Sequence, residues 1–218
     1  MQSKPHAPFR SLVFLGALLG ILAGCAAYSG STSPTRIGSG NSASAQTVYV
    51  PDLPIGHPPY DRIDASWKQR LDQPYVYMEH IGSYTETGTL LPALHRELAA
   101  QGLEPAGAPF CLFYEDPALV PVAQLRSRAC VPIAGARSPK APLAYDVLPS
   151  TTVAYAFVSG AYPDVPRGYA GVYQFMKRMN WVENGPIREI YLVPPTPGID
   201  SSELVAEIQI PAAPRASR

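Results

Sequence analysis

The chain has 218 residues, a formal net charge of zero and a pI near 6.9, and only 16% of its side chains are charged. Without a basic excess it offers nucleic acid no electrostatic footprint. Proline (25) and glycine (17) are abundant but stay below the range of a low-complexity polymer, so a folded domain with appended segments is expected.

Residues 1–24 read as a targeting segment. Lys4 and Arg10 precede an apolar run, Leu12 to Ala23, that is too short for a comfortable permanent span. The run ends Leu22-Ala23-Gly24-Cys25, which resembles the lipobox of bacterial lipoproteins. That resemblance implies removal of Met1–Gly24 and acylation of Cys25. Each buried methylene contributes about 0.8 kcal/mol, so three chains anchor firmly. Ala26 after the cysteine, rather than aspartate, resembles a sorting signal for the outer membrane, with the domain facing the periplasm. The other reading is an ordinary cleaved signal with an incidental cysteine. On either reading Cys111 and Cys130 meet an oxidising compartment, where a disulfide is permitted.

Residues 25–47 are Ser, Gly, Thr, Ala and Asn with almost no large apolar side chain. They cannot bury enough surface to offset ordering and read as a flexible tether. Residues 48–74 form a Pro-rich, extended lead-in, in which Asp64–Leu71 could make a helical turn or two through Trp67 and Leu71 at i, i+4.

The compact domain is expected over 75–212. Tyr75–Tyr84 is β-rich. Thr89 can cap a helix running to about Gln101 with Leu90, Leu91, Leu94 and Leu98 as its stripe and Gly102 as its stop. Phe110–Glu115 and Arg128–Ile133 read as a hairpin around a loop, and 135–142 as a polar connector. Thr151–Tyr162 is a strand, and Gly168 to about Trp181 a helix with Tyr169, Val172, Tyr173, Met176 and Met179 on its apolar side. Ile187–Val193 is a strand, Thr196–Ser202 a turn-rich loop, Leu204–Ile210 the last strand, and the rest a loose tail.

That order is an internal repeat of β-α-β-β, about 75–133 and 151–210. Gly82-Ser83-Tyr84 answers Gly160-Ala161-Tyr162, and the Gly-led strand from Gly107 answers the one from Gly185. The expected fold is therefore α+β: duplicated modules about a pseudo-twofold axis, an antiparallel sheet backed by two helices, and a cleft between the copies. Such clefts commonly take ligands. In this alignment Leu112 stands where the other copy has Glu189.

Period two places Ile187, Glu189 and Tyr191 on one face of their strand and Arg188, Ile190 and Leu192 on the other. If the first face is covered, the Glu189 carboxylate is costly unless paired. The plain alternative is a glutamate in water or bridged to a neighbour.

The segments HIGSY (80–84), FYEDP (113–117), GAYPD (160–164), GPIREIYLVPP (185–195) and AEIQIP (206–211) together resemble the GyrI-like small-molecule-binding family, the effector-binding domain of AraC- and MerR-type multidrug regulators. The resemblance implies a ligand cleft between the halves that takes lipophilic, aromatic, often cationic compounds. It maps the cleft glutamate to Glu189. Tyr84, Tyr114, Tyr155, Tyr162, Tyr191 and Trp181 are lining candidates, each of which could equally be core. A lipoprotein signal stands where the regulators have a DNA-binding domain. Some family members resemble hydrolases of strained aromatic compounds, which would make Glu189 a general base. A third reading is an envelope interaction protein with a vestigial cleft.

Cys111 and Cys130 lie in the two hairpin strands. A cross-strand bridge would contribute about 3 kcal/mol; the alternative is two separate buried thiols. Their spacing fits no zinc pattern, and His57, His80 and His95 are scattered, so no metal and no cofactor is expected. No nucleophile elbow or phosphate loop occurs.

Overall fold

Ten strands and three short α-helices make up the described part of the chain, and the central strands Thr151–Ser159 and Val205–Pro214 are apolar enough to be buried on both faces. The structure is a computed structural model that describes residues 50–193 and 198–216. The signal, Cys25, the tether, the first residues of the lead-in and 194–197 lie outside the described residues.

The elements are β1 (Ile55–Gly56), β2 (Ala65–Arg70), β3 (Gln73–Ile81), α1 (Tyr84–Thr87), α2 (Leu91–Ala100), β4 (Phe110–Phe113), β5 (Arg126–Pro132), β6 (Ala144–Leu148), β7 (Thr151–Ser159), α3 (Tyr169–Arg178), β8 (Trp181–Glu183), β9 (Ile187–Tyr191) and β10 (Val205–Pro214). The strands form one large mixed sheet ordered β1-β7-β10-β9-β4-β5-β3-β6, with β2 also on β7 and β8 on β10. The runs β3-α1-α2-β4-β5 and β7-α3-β9-β10 therefore meet where β4 pairs antiparallel with β9, Cys111 opposite Glu189 and Phe113 opposite Ile187.

The two longer helices, α2 and α3, cover the same face. On one side Leu94 and Leu98 of α2 pack on Val76, Ala129 and Val131. On the other, Val172 and Met176 of α3 pack on Ala154, Ala156, Ile208 and Ile210. The opposite face carries Tyr75, Phe110, Leu112, Cys130 and Ile190. That second face is concave. β7 and β3 are five positions apart in the sheet, roughly 24 Å if flat. Yet β2 and β3 are joined by only Leu71 and Asp72, a link that reaches about 11 Å at most. The register continues across the break, Arg70 opposite Thr151 and Gln73 opposite Leu148, so β2–β3 and β6–β7 form one bent ribbon. It ties the two ends of the sheet together and curls the helix-free face inward. Asp72 accepts the Ser150 N–H at the bend.

Several sequence expectations change. Asp64–Leu71 is not helical: β2 alternates against β7, and Trp67 sits opposite Ala154 with half its surface exposed. Pairing with a neighbouring strand outweighs the local i, i+4 pattern. The first helix begins at Tyr84, five residues early, and passes through a 3₁₀ turn, Gly88–Leu90, into α2. Thr89 caps nothing; its hydroxyl donates to the Glu86 carbonyl. A 3₁₀ turn, Tyr162–Gly168, likewise precedes α3, which ends at Arg178 and leaves Trp181 in β8. The strands β6 and β8 were not anticipated. The tail after Ile210 is strand too: Pro211 lies where β10 leaves β7 and takes up β8, and Ala212 faces Glu183.

The cysteines are in a hairpin but do not bridge. Cys111 is opposite Ala129 and Cys130 opposite Phe110, an offset of one residue that sends the thiols to opposite faces. Stability is therefore expected to be indifferent to reductant, with two buried thiols of the domain becoming titratable only on unfolding.

The two halves enter their helices alike. Gly82 and Gly160 have φ of +142° and +130°, and Ser83 and Ala161 that follow are both extended. A β-carbon at Gly160 would also meet the Tyr60 hydroxyl at 2.5 Å. Gly160→Ala should cost about 3 kcal/mol in a urea titration, combining strain and clash, whereas Gly102→Ala, also at positive φ but in open space, should cost about 1.

Candidate functional site

Glu189 is at the middle of an interior strand, with β4 on one side and β10 on the other, so no sheet edge gives it water. Its side chain points to the helix-covered face and is 2% exposed. Two phenols satisfy it: Tyr169, the first residue of α3, donates to Oε1 at 2.5 Å, and Tyr191, two residues on in β9, donates to Oε2 at 2.9 Å. Burial pushes the carboxyl up to about 7, while the two phenolic hydrogen bonds pull the other way. The phenols of Tyr169 and Tyr191 stand well above their usual range, first from burial and then from the Glu189 charge. Burial likewise raises the Cys111 thiol to about 12.

Above this carboxyl lies a cleft of about 1220 Å³ between the α1–α2 segment and α3. Glu189, Tyr191, Ile187 and Phe113 form its floor, Tyr84, Leu91 and His95 one wall, and Tyr162, Tyr169 and Tyr173 the other. The Tyr162 ring lies 4.4 Å from that of Tyr191, and its hydroxyl donates to the Val193 carbonyl. The Tyr84 ring lies 4.9 Å from Phe113, and its hydroxyl accepts from the Glu115 N–H. Other charged lining residues are Glu115, Asp116 and Glu183; no lysine or arginine is among the described lining residues. The cleft thus offers rings, phenol oxygens and negative potential, a combination suited to a poorly hydrated cation.

Of the residues singled out from sequence, the fold brings Glu189, Tyr191, Tyr162 and Tyr84 to the cleft. Tyr114, Tyr155 and Trp181 lie elsewhere. Tyr114 belongs to the opposite face, under the guanidinium of Arg126 at 4.2 Å. Tyr155 also faces that way, donating to Asp52 with Lys68 over its ring. Trp181 packs edge-on against Trp67 and Phe175 outside the cleft. The contrast drawn between Leu112 and Glu189 fails for the same reason of parity: Leu112 is opposite Arg188, and the residue facing Glu189 is Cys111. Tyr169 and Tyr173 were read only as a helix stripe. Their helical spacing was legible, but the carboxylate partners of their hydroxyls, Glu189 and Glu183, were not.

A family model for the GyrI-like small molecule binding domain matches residues 66–213. No curated protein matches the chain in sequence. Among solved structures, the fold is similar to the crystal structure of the EcmrR C-terminal domain, with a TM-score of 0.63 at 18% identity over 70% of this chain and 99% of that one. It is similar also to EcmrR in a cryo-EM complex with DNA (TM-score 0.62, 17% identity, 70% of this chain), of which it spans 58%. A hydrolase encoded by lin2189 from Listeria innocua has a TM-score of 0.51 at 8% identity, over 68% of this chain and 91% of that one. These likenesses show the shared α+β fold, and the family match, which spans most of the chain, shows that the protein belongs to the GyrI-like small-molecule-binding domain family.

Proposed function

We propose that the protein is a lipid-anchored envelope protein that holds a lipophilic, cationic aromatic molecule in the cleft over Glu189. Membership of a small-molecule-binding family supports binding. The observation that carries the choice of ligand is a carboxyl buried under aromatic rings, hydrogen-bonded but with no lysine or arginine among the described lining residues. In the empty cleft near neutral pH, burial holds a proton on much of that carboxyl. An organic cation replaces the proton, and the carboxylate then has a counter-charge in a poorly polarisable site. Surrounding rings add about 0.5–2 kcal/mol each.

The matched glycine conformations at the two helix starts support a duplication about a pseudo-twofold axis, with the cleft between the copies. The lipobox-like Leu22-Ala23-Gly24-Cys25 supports an anchor at Cys25, and Ala26 supports the outer membrane with the domain in the periplasm. Labelled palmitate should enter the protein and be abolished by Cys25→Ser. The hydrolase reading keeps one specific support, a carboxyl held near 7, where a general base works.

One titration separates these readings. Aromatic quaternary ammonium dyes and their uncharged isosteres are compared by calorimetry on wild type and Glu189→Gln. The cations should bind and the isosteres fail, with affinity falling tenfold or more in the variant, about 1.4 kcal/mol or above. Equal affinity in both proteins sinks the cation site, and consumption of an added compound that Glu189→Gln abolishes favours the enzyme. Cation affinity should climb about tenfold per pH unit below pH 7 and level off above it, because the ligand displaces the proton.

The empty protein should show the opposite trend. A carboxyl raised from 4.5 to about 7 binds more protons folded than unfolded between those values. Its contribution to stability is full below pH 4.5 and lost as pH rises through 7, about 3 kcal/mol in all. Glu189→Gln should flatten that slope.

A further inference from the structure

The concave face, turned away from the cleft, holds two arginines that make no ion pair among the described residues. Arg188 alternates with Glu189 along β9 and so points inward; it is 4% exposed. Its guanidinium lies 3.9 Å over the Phe110 ring, its Nε is buried without an acceptor, and its side chain makes no ion pair among the described residues. Arg70 reaches the same interior from the bend of the ribbon. Its Nη2 donates to the Pro149 carbonyl at 2.8 Å, which leaves Nε and Nη1 buried and unbonded. The two charges feel one another: burial and then Arg70 push the Arg188 guanidinium down to about 10.

Other cations of this face are matched. Arg128 takes Glu79 at 3.1 Å and Asp146 at 2.9 Å, and Lys68 takes Glu207 Oε1 at 2.7 Å. Gln209 donates to that same Oε1, and Glu207 acts on Arg188 through space. The register places Gln209 directly beside Arg188, and its Oε1 is a buried acceptor with no donor. Orphaned donors and an orphaned acceptor thus sit side by side in an interior with surplus positive charge. Buried charge of this kind is strongly destabilising unless neutralised.

We infer that this interior is a second binding site, for a small free oxyanion that carries a proton, of which hydrogen phosphate is the type. The anion bridges Arg188 and Arg70 through its oxygens and donates its hydroxyl to Gln209 Oε1. Sulfate, with no proton to give at neutral pH, leaves the amide oxygen facing another oxygen. The site is independent of the cleft, since it lies on the other face of β9.

The test is calorimetric titration of the mature protein with inorganic phosphate and with sodium sulfate at fixed ionic strength, alongside melting curves. Phosphate should bind saturably, raise the melting temperature by about 3 °C at tenfold excess over its Kd, and bind at least tenfold more tightly than sulfate. Arg188→Met should abolish phosphate binding, and in phosphate-free buffer it should melt above wild type, because an unpaired buried charge is gone. Arg70→Met serves the same purpose should Arg188→Met fail to fold. No saturable phosphate binding by wild type, or the same binding in both arginine variants, overturns the site; equal binding of sulfate overturns the protonated class.

Discussion

Burial of β9 on both faces is the constraint on which the rest depends. It is an interior strand paired to β4 and β10, so its backbone polar groups are spent on its neighbours and neither edge meets water. Helices lie over one face and the curled sheet encloses the other. Consecutive residues Arg188 and Glu189 are therefore both buried, and neither can neutralise the other, because strand geometry sends them to opposite sides. Each face must settle its own charge. The cleft face does so with two phenols and a carboxyl pushed up to about 7; the concave face leaves guanidinium nitrogens unbonded.

The phenols show how a site of this kind keeps its shape. Tyr191 comes from the same strand as Glu189, and Tyr169 from the start of α3, so the carboxyl ties the helix to the sheet across the base of the cleft. The 3₁₀ turn from Tyr162 to Gly168 is what delivers Tyr169 there, and Gly160 starts that turn with a backbone that side-chain-bearing residues rarely adopt. Binding chemistry at the floor and local backbone conformation at the wall are thus one construction. The carboxyl at the floor of the cleft is the same one that braces α3.

How much could be read without coordinates follows from the range of each interaction. Period two within β9 assigned Ile187, Glu189 and Tyr191 to one face, and the structure puts all three in the cleft. The helix stripes Leu94–Leu98 and Val172–Met176 were legible for the same reason. Trp67 and Leu71 at i, i+4 misled, because only the presence of β7 alongside makes Ala65–Arg70 a strand. Tyr114, Tyr155 and Trp181 could not be placed in the same way, since an aromatic side chain by itself does not say which face of a sheet it joins, and the fold sets all three outside the cleft.

By itself the sequence determined the α+β class, the family and the alternation that aims Glu189 and Arg188 apart. These depend on neighbours a few residues away or on motif order along the chain. Tertiary structure alone decided three things: the offset between β4 and β5 that keeps Cys111 from Cys130, the phenols that meet Glu189, and the ribbon that curls the sheet around Arg70 and Arg188. Register and closure join residues far apart in the chain, and a shift of one position moves every side chain of a strand to its other face. No local pattern carries that choice.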